Sequence, residues 1–153
     1  MNQNKPDIFD RLMALPGLRL LEAPYKKHKE VLLYILFGGC TTVISIGSFV
    51  LFDSVLGINE LLANIFSWLL AVGFAYITNR IWVFCSQARG KAIFREILSF
   101  YSGRLLTLAM EEGLLLIFVT WLGLGSTLVK TAAQVAVLIG NYLISKFIIF
   151  RKK

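Results

Sequence analysis

Histidine and cysteine are nearly absent from this sequence, which contains one histidine, His28, and two cysteines, Cys40 and Cys85. No cluster of these residues has the spacing of metal ligands, so we expect no metal site. Cys40 lies inside an apolar run and Cys85 follows another, and we expect no disulfide between them. No nucleophile stands near a candidate base. The sequence therefore predicts neither an enzyme nor a bound cofactor.

Charged residues are also scarce, at 16% of the chain, whereas soluble domains have about 25%. The hydrophobic fraction is 57% and the mean hydropathy is +0.71, well above the usual apolar share of about 45–50%. Nothing before Val31 resembles the apolar core of a signal peptide, so we expect no cleavable signal. The composition indicates a membrane protein, and 153 residues fit a single domain.

Four apolar segments are long enough to cross a bilayer, which takes about 20 helical residues. We predict an all-α membrane protein with transmembrane helices at about 31–52, 61–79, 97–122 and 128–150. Residues 31–153 would form the four-helix domain, and residues 1–30 a basic N-terminal tail. Two interpretations of the tail stay open: a flexible cytosolic segment, or a short interfacial helix with Ile8, Phe9 and Leu12 on one face.

The basic residues are unevenly distributed along the chain. Of 16 Lys and Arg, six precede the first span, four lie between Arg80 and Arg95, and four lie from Lys146 onward. The two short turns after the first and third spans contain none. By the positive-inside rule, both termini and the middle loop are cytoplasmic. This distribution explains the net charge of +7 without a nucleic-acid partner.

The third predicted span is unusual because it contains Arg104, Glu111 and Glu112. An ionisable residue inside a membrane costs at least about 2.5–3.5 kcal/mol and normally faces protein or water. Arg104 and Glu111 are two helical turns apart and lie on one face. Lys130, Gln134, Asn141 and Ser145 form a polar stripe on the fourth span. We expect this stripe to meet the polar face of the third.

The two halves of the chain are related by a shift of 66 residues. The shift aligns Phe84 with Phe150 and Arg80 with Lys146. Each half is then a hairpin that starts and ends in the cytoplasm, and the two hairpins form a parallel repeat about an axis along the membrane normal. The charges inside the predicted spans lie in the second half, since Arg104 aligns with Gly38 and Glu111 aligns with Ser45.

The sequence resembles the GtrA-like proteins, which are small four-span membrane proteins of bacterial polysaccharide glycosylation. The similarity extends over residues 32–151, and the Asn-Arg-x-Trp-x-Phe pattern is its most specific part. The matching segments are Phe37-Gly38-Gly39, Ala75-Tyr-Ile-Thr-Asn79-Arg80-Ile-Trp82-Val-Phe84, Phe94-Arg95-Glu96, and Asn141-Tyr142 with Lys146 and Phe150. Thr41-Thr42 departs from the Asn-Thr pair often found in such proteins, and Glu111-Glu112 belongs to no motif of the family.

The resemblance implies a flippase, or a component of one, in the bacterial cytoplasmic (inner) membrane. It would move an undecaprenyl-phosphate-linked sugar to the outer leaflet, where the sugar decorates O-antigen, teichoic acid or another glycan. A polyprenyl-phosphate glycosyltransferase would be the partner that loads the lipid. Besides membrane lipids, the transported lipid-linked sugar would be the ligand.

Under this hypothesis, basic side chains bind the lipid phosphate and polar side chains contact the sugar or take part in proton coupling. The phosphate-binding candidates are Arg104, Arg80, Lys146, Arg95 and Lys130. The sugar-binding or proton-coupling candidates are Glu111, Glu112, Gln134, Asn141, Asn79 and Asn64.

Structural roles are the alternatives for the same residues. Arg80 and Lys146 can be topology anchors, Arg104 can form an ion pair with Glu111, and Lys130 can extend to the outer interface. The asparagines can form hydrogen bonds between helices.

Two other functions also stay open: a membrane scaffold that recruits the glycosyltransferase, and a proton-coupled small-molecule exporter. Four short helices enclose little volume, so a homodimer is one way to form a polar pathway. The sequence leaves the oligomeric state, the sugar and the energy source open.

Overall fold

The computed structural model of the protein describes residues 8–15, 17 and 19–150, and all regular structure in this part of the chain is helical. The predicted all-α fold is confirmed for these residues. The helices are α1 (Ile8–Met13), α2 (Arg19–Val50), α3 (Glu60–Thr78), α4 (Lys91–Leu115) and α5 (Ser126–Ile144). The terminal basic residues Lys5, Arg151, Lys152 and Lys153, on which part of the topology prediction depends, lie outside the described residues.

Three helical segments of the described chain are long and apolar enough to cross a membrane. They are Glu22–Val55, Glu60–Val83 and Ala132–Ile149. The predicted third span is helical over α4, but Arg104 and the two glutamates make it too polar to join this set. The first apolar helix also starts earlier than predicted, because α2 begins at Arg19 and continues through a kink at His28 (φ −118°, ψ 17°).

The described chain folds into two compact units, which divide between Gln87 and Ala88. Unit 1 contains α1, α2 and α3. An aromatic cluster packs inside it around Phe37, whose ring centroid lies 5.5 Å from that of Trp82 and 5.6 Å from that of Phe9. Phe9 brings the short helix α1 into this cluster. Both carboxylate oxygens of Asp10 accept hydrogen bonds from Lys29 Nζ, at 2.7 and 2.8 Å, which adds an ion pair between α1 and α2.

One face of α3 is buried along its whole length. Its buried positions recur every fourth residue: Ala63, Ser67, Ala71, Ala75 and then Asn79. Asn64, a candidate identified from the sequence, is exposed and lies outside this buried stripe, and Trp68 is half-buried. The buried stripe follows a four-residue step through small side chains in the first half of the helix.

Unit 2 consists of α4 and α5, which approach each other closely at Gly103. A Cβ atom at Gly103 would lie 3.1 Å from the Ile144 Cγ2 methyl group, so only glycine fits here without a shift. The Phe100 side chain is 1% exposed, and its ring centroid lies 5.9 Å from that of Phe150. These contacts pack the polar face of α4 against α5.

The backbones of the two units repeat each other at the 66-residue shift predicted from the sequence. The equivalent helices α3 and α5 start and end at positions that differ by 66. Both continue into a wider turn with an i→i+5 hydrogen bond, from Phe84 N–H to Asn79 O in unit 1 and from Phe150 N–H to Ser145 O in unit 2, each 2.8 Å.

The turn before α3 has the same conformation as the turn before α5. Gly57 and Gly123 adopt the left-handed conformation that favours glycine, with φ of 64° and 67°. A backbone hydrogen bond links Ile58 N–H to Phe52 O at 2.9 Å, and its equivalent links Leu124 N–H to Phe118 O at 3.0 Å. The internal repeat is therefore present in the fold of each hairpin and not only in its hydropathy.

Candidate functional site

Buried polar side chains of α4 and α5 contact one another between these two helices. Glu111 is 9% exposed, and its Oε1 accepts a hydrogen bond from Gln134 Nε2 at 2.5 Å. The two residues are 23 positions apart in sequence, so this contact joins the two helices. The predicted contact between the polar face of the third segment and the polar stripe of the fourth is confirmed at this pair.

A second hydrogen bond joins the helices about one turn away. Thr107 donates to Asn141 Oδ1 at 2.9 Å, and the two side chains are 1% and 9% exposed. Asn141 was identified from the sequence, whereas Thr107 was missed. The spacing of Thr107 could have indicated its role, since it stands four residues before Glu111 and three after Arg104, on the same helical face. We call Thr107, Glu111, Gln134 and Asn141 the polar ladder.

Arg104 lies beside the ladder but is not paired with Glu111. Its guanidinium carbon lies 5.0 Å from the centroid of the Phe100 ring, a cation–π geometry within one helix. The ion pair with Glu111, which was the structural alternative for Arg104, is not formed in the described structure, where Glu111 contacts Gln134 and Arg104 contacts Phe100. The half-buried cation is held by an aromatic face, which positions it without neutralising its charge.

The remaining candidates of unit 2 differ in exposure. Glu112 is exposed whereas Glu111 is buried, so the two adjacent glutamates have different surroundings although the same role was predicted for both. Arg95 is exposed in the first turns of α4. The side chain of Lys130 lies outside the described residues. Lys146 is half-buried, and its Nζ donates a hydrogen bond of 3.0 Å to the phenol oxygen of Tyr142.

The candidates of unit 1 do not form a comparable ladder. Arg80 donates a hydrogen bond of 3.2 Å to the phenol oxygen of Tyr76. Asn79 is 3% exposed, its amide group donates to Ala75 O at 2.7 Å, and its Oδ1 has no hydrogen-bond partner in the described structure. Asn64 is exposed on α3. Sequence reasoning missed both tyrosines, which follow the four-residue spacing of helical neighbours.

The polar ladder is specific to unit 2, although both units have the same backbone. At the 66-residue shift, Ser45 stands for Glu111, Trp68 for Gln134 and Ala75 for Asn141. Thr41 is the equivalent of Thr107. Its hydroxyl is bonded within its own helix, to Phe37 O at 2.7 Å, whereas the Thr107 hydroxyl also lies 2.9 Å from Asn141 Oδ1 on the other helix. Since unit 1 forms its hairpin without these polar residues, the hairpin fold does not require them.

The ladder offers two side-chain amides, one hydroxyl group and one buried carboxylate, with the Arg104 cation on the same helix as Glu111. Such groups can hydrogen-bond sugar hydroxyls and attract a phosphate. Among the side chains that the structure describes, no group of three His, Cys, Asp or Glu residues could hold a metal ion. The arrangement is therefore suited to binding a polar or anionic ligand.

Comparison with known proteins gives relatives of similar length, including the three that follow. The chain is 37% identical over 123 residues to the cell wall teichoic acid glycosylation protein GtcA of Listeria innocua, covering 80% of this chain and 85% of that protein. It is 36% identical over 125 residues to GtcA of Listeria monocytogenes, covering 81% and 86%. It is 31% identical over 121 residues to the uncharacterized membrane protein YwcD of Bacillus subtilis, covering 78% and 95%.

The match to a protein family covers nearly all of the helical part of the chain. Residues 33–150 match the family described as GtrA/DPMS, transmembrane domain. The match includes both hairpins, the polar ladder and both tyrosine–cation contacts. Together with the long apolar helices, it identifies a multi-pass membrane protein. The chain belongs to the GtrA/DPMS transmembrane domain family.

Proposed function

We propose that this protein moves a polyprenyl-phosphate-linked sugar from the cytoplasmic to the outer leaflet of a bacterial cytoplasmic membrane. The sugar then glycosylates a cell-wall polymer, and undecaprenyl phosphate is the carrier. The polar ladder beside Arg104 is the observation that carries this proposal.

The relatives support the choice of pathway. Two of them are named as cell wall teichoic acid glycosylation proteins, and the chain covers most of their length. We therefore propose that this chain also takes part in the glycosylation of a cell-wall polymer. A glycosyltransferase that loads the carrier lipid on the cytoplasmic side is the expected partner.

The chemistry of the carrier lipid supports the choice of site. A lipid-linked sugar has a phosphodiester charge, several hydroxyl groups and a long apolar tail. Because the tail can remain in the lipid, the protein needs to shelter only the headgroup. Arg104 supplies a cation for the phosphate, and Gln134 and Glu111 supply hydrogen-bonding groups for the sugar.

The arrangement in the membrane is part of the proposal. We place α4 across the bilayer as a fourth span, with both termini and the middle loop in the cytoplasm, as the basic residues favour. Arg104 then lies nearer the cytoplasmic face, and Glu111 lies nearer the middle of the membrane. The phosphate would meet Arg104 first, and the sugar would contact the ladder beyond it.

A reconstituted system tests this function directly. Purified protein is placed in liposomes with a radiolabelled polyprenyl-phosphate sugar, and outer-leaflet exposure is followed with a membrane-impermeant reagent. We expect exposure well above that of empty liposomes. Loss of a contact between a cation and a phosphate, worth about 1.5–3 kcal/mol, should slow delivery by Arg104→Ala about 10- to 100-fold.

A matched pair of variants serves as the control. Glu111→Gln alters the ladder, whereas Glu112→Gln removes the adjacent exposed charge, so only the first should reduce delivery. Equal rates with the protein and with empty liposomes would rule out transport by this chain. If the protein moves no lipid but co-purifies with a glycosyltransferase, the scaffold interpretation replaces the flippase.

A further inference from the structure

Each unit holds a basic side chain against a tyrosine at the end of its second helix. In unit 1, Arg80 Nη1 lies 3.2 Å from the Tyr76 hydroxyl oxygen, and in unit 2, Lys146 Nζ lies 3.0 Å from the Tyr142 hydroxyl oxygen. The four residues are related in pairs by the same shift of 66 positions. Nothing in the helix repeat itself requires a tyrosine four residues before a cation.

The two contacts share their chemistry as well as their position. In both, the phenol oxygen accepts a hydrogen bond from the cation, and the neutral phenol positions the cation without adding an opposite charge. A guanidinium has five N–H donors and an ammonium has three, so either kind of cation can bind a tyrosine and an anion at the same time. The phenol O–H is itself a donor that can point to the same anion as the cation.

The aromatic surroundings are repeated too. The Tyr34 ring centroid lies 6.4 Å from that of Phe84, and the equivalent Phe100 centroid lies 5.9 Å from that of Phe150, with interplanar angles of 55° and 57°. These rings accompany the cation at the same end of each hairpin.

The middle of the two hairpins has diverged, in contrast to this duplicated end. Glu111, Gln134 and Asn141 have no polar counterpart of the same kind in unit 1, whereas the tyrosine and the cation are present in both units. A function confined to one hairpin does not explain a feature that both possess. The duplicated end therefore has a role of its own.

We propose that Tyr76–Arg80 and Tyr142–Lys146 are two equivalent binding sites for a lipid-borne phosphate, with the tyrosines as positioning residues. Each tyrosine holds its cation at the helix end, where the basic residues favour the cytoplasmic headgroup layer. Two sources share this phosphate chemistry, the carrier lipid and ordinary anionic phospholipid. The inference rests on the proposed function only for the first source.

The test measures lipid binding by the full-length protein in detergent, with native mass spectrometry. One arm uses polyprenyl phosphate and the other uses phosphatidylglycerol, and each is compared with an uncharged lipid of the same tail, polyprenol or diacylglycerol. The variants are Y76F, Y142F and the double variant, which remove only hydroxyl groups. Y34F is the control, since it removes a tyrosine hydroxyl from the aromatic pair at the same end of unit 1.

We expect each single variant to lower the preference for the phosphate-bearing lipid about threefold and the double variant about tenfold, as for a modest hydrogen bond at each site. Binding of the uncharged lipid and the Y34F protein should not change. The arm that responds identifies the source of the phosphate. A merely structural tyrosine would lower binding of charged and uncharged lipids alike, and that result overturns the proposal, as does a loss confined to one hairpin.

The two proposals can fail separately. If the double variant loses its phosphate preference but Arg104→Ala still delivers lipid at the normal rate, the paired sites stand and the transport site is wrong. If Arg104→Ala abolishes delivery and the double variant keeps its phosphate preference, the paired sites are wrong and the transport site stands.

Discussion

Gln134 donates a hydrogen bond of 2.5 Å to Glu111, between two helices whose counterparts in unit 1 place Trp68 and Ser45 at these positions. A buried carboxylate is costly unless its oxygens are hydrogen-bonded. Gln134 on the neighbouring helix supplies the hydrogen bond that the buried Glu111 carboxylate needs. Substituting one partner or both therefore distinguishes an effect on stability from an effect on transport.

Removing only Gln134 should destabilise the protein more than removing both partners. In Gln134→Leu the buried Glu111 loses its partner, at a cost of about 1–3 kcal/mol. In the double variant Glu111→Leu/Gln134→Leu no polar group is left unsatisfied, so stability should return close to that of the wild type. The free energy of unfolding in detergent is the measurement, and transport should be lost in both variants. A double variant less stable than Gln134→Leu would show that the pair is structural.

The hydrogen bond between Thr107 and Asn141 is matched by a control in the other hairpin. Thr107→Val removes a contact between helices, for which about 0.6 kcal/mol is the average in membrane proteins. Thr41→Val removes a hydroxyl bonded only within its own helix, to Phe37 O at 2.7 Å, and should change unfolding by less. Equal effects in the two variants would contradict a special role for the ladder.

The aromatic contacts of Phe9 should hold α1 in place. Phe9→Ala removes the ring next to Phe37 and Trp82 but keeps the Asp10–Lys29 ion pair. Hydrogen–deuterium exchange over residues 8–13 should then accelerate. Leu12→Ala is the control, because Leu12 is 51% exposed and its loss should leave the exchange rate unchanged.

The sequence was sufficient for features that depend on a repeating pattern. The helical fold, the 66-residue repeat and the meeting of the two polar stripes all follow from periodicity and apolar length. The buried face of α3 was not predicted: Asn64, a candidate identified from the sequence, is exposed, whereas Ala63 and Ser67 are buried. Small residues allow close packing at a four-residue step, and an apolar composition does not reveal which face they bury.

Pairing between particular side chains was less predictable. Opposite charge suggested an ion pair of Arg104 with Glu111, but rotamers and the neighbouring helix decide such contacts. Phe100 and Gln134 are nearer partners in the structure. Tyr76 and Tyr142 were missed because a tyrosine in an apolar helix usually indicates packing or an interface. The spacing of each tyrosine from a cation is visible in the sequence, but the hydrogen bond between them is shown only by the structure.

Glycine positions should separate close helix packing from open helix surface. An added Cβ at Gly103 meets Ile144 at 3.1 Å, whereas one at Gly39 meets nothing within 4 Å. Alanine in an open helix interior gains about 0.8–1.0 kcal/mol over glycine, so Gly39→Ala should raise the free energy of unfolding.

At Gly103 the branched Ile144 side chain must move, which offsets this gain and separates α4 from α5. Gly103→Ala should therefore be less stable than Gly39→Ala by about 1 kcal/mol or more. Comparing Gly103→Ala/Ile144→Ala with Ile144→Ala alone tests the cause, because without the contacting methyl group alanine at position 103 should be stabilising, as at Gly39. A Gly103→Ala protein as stable as Gly39→Ala would show that the helices can separate at this point without cost.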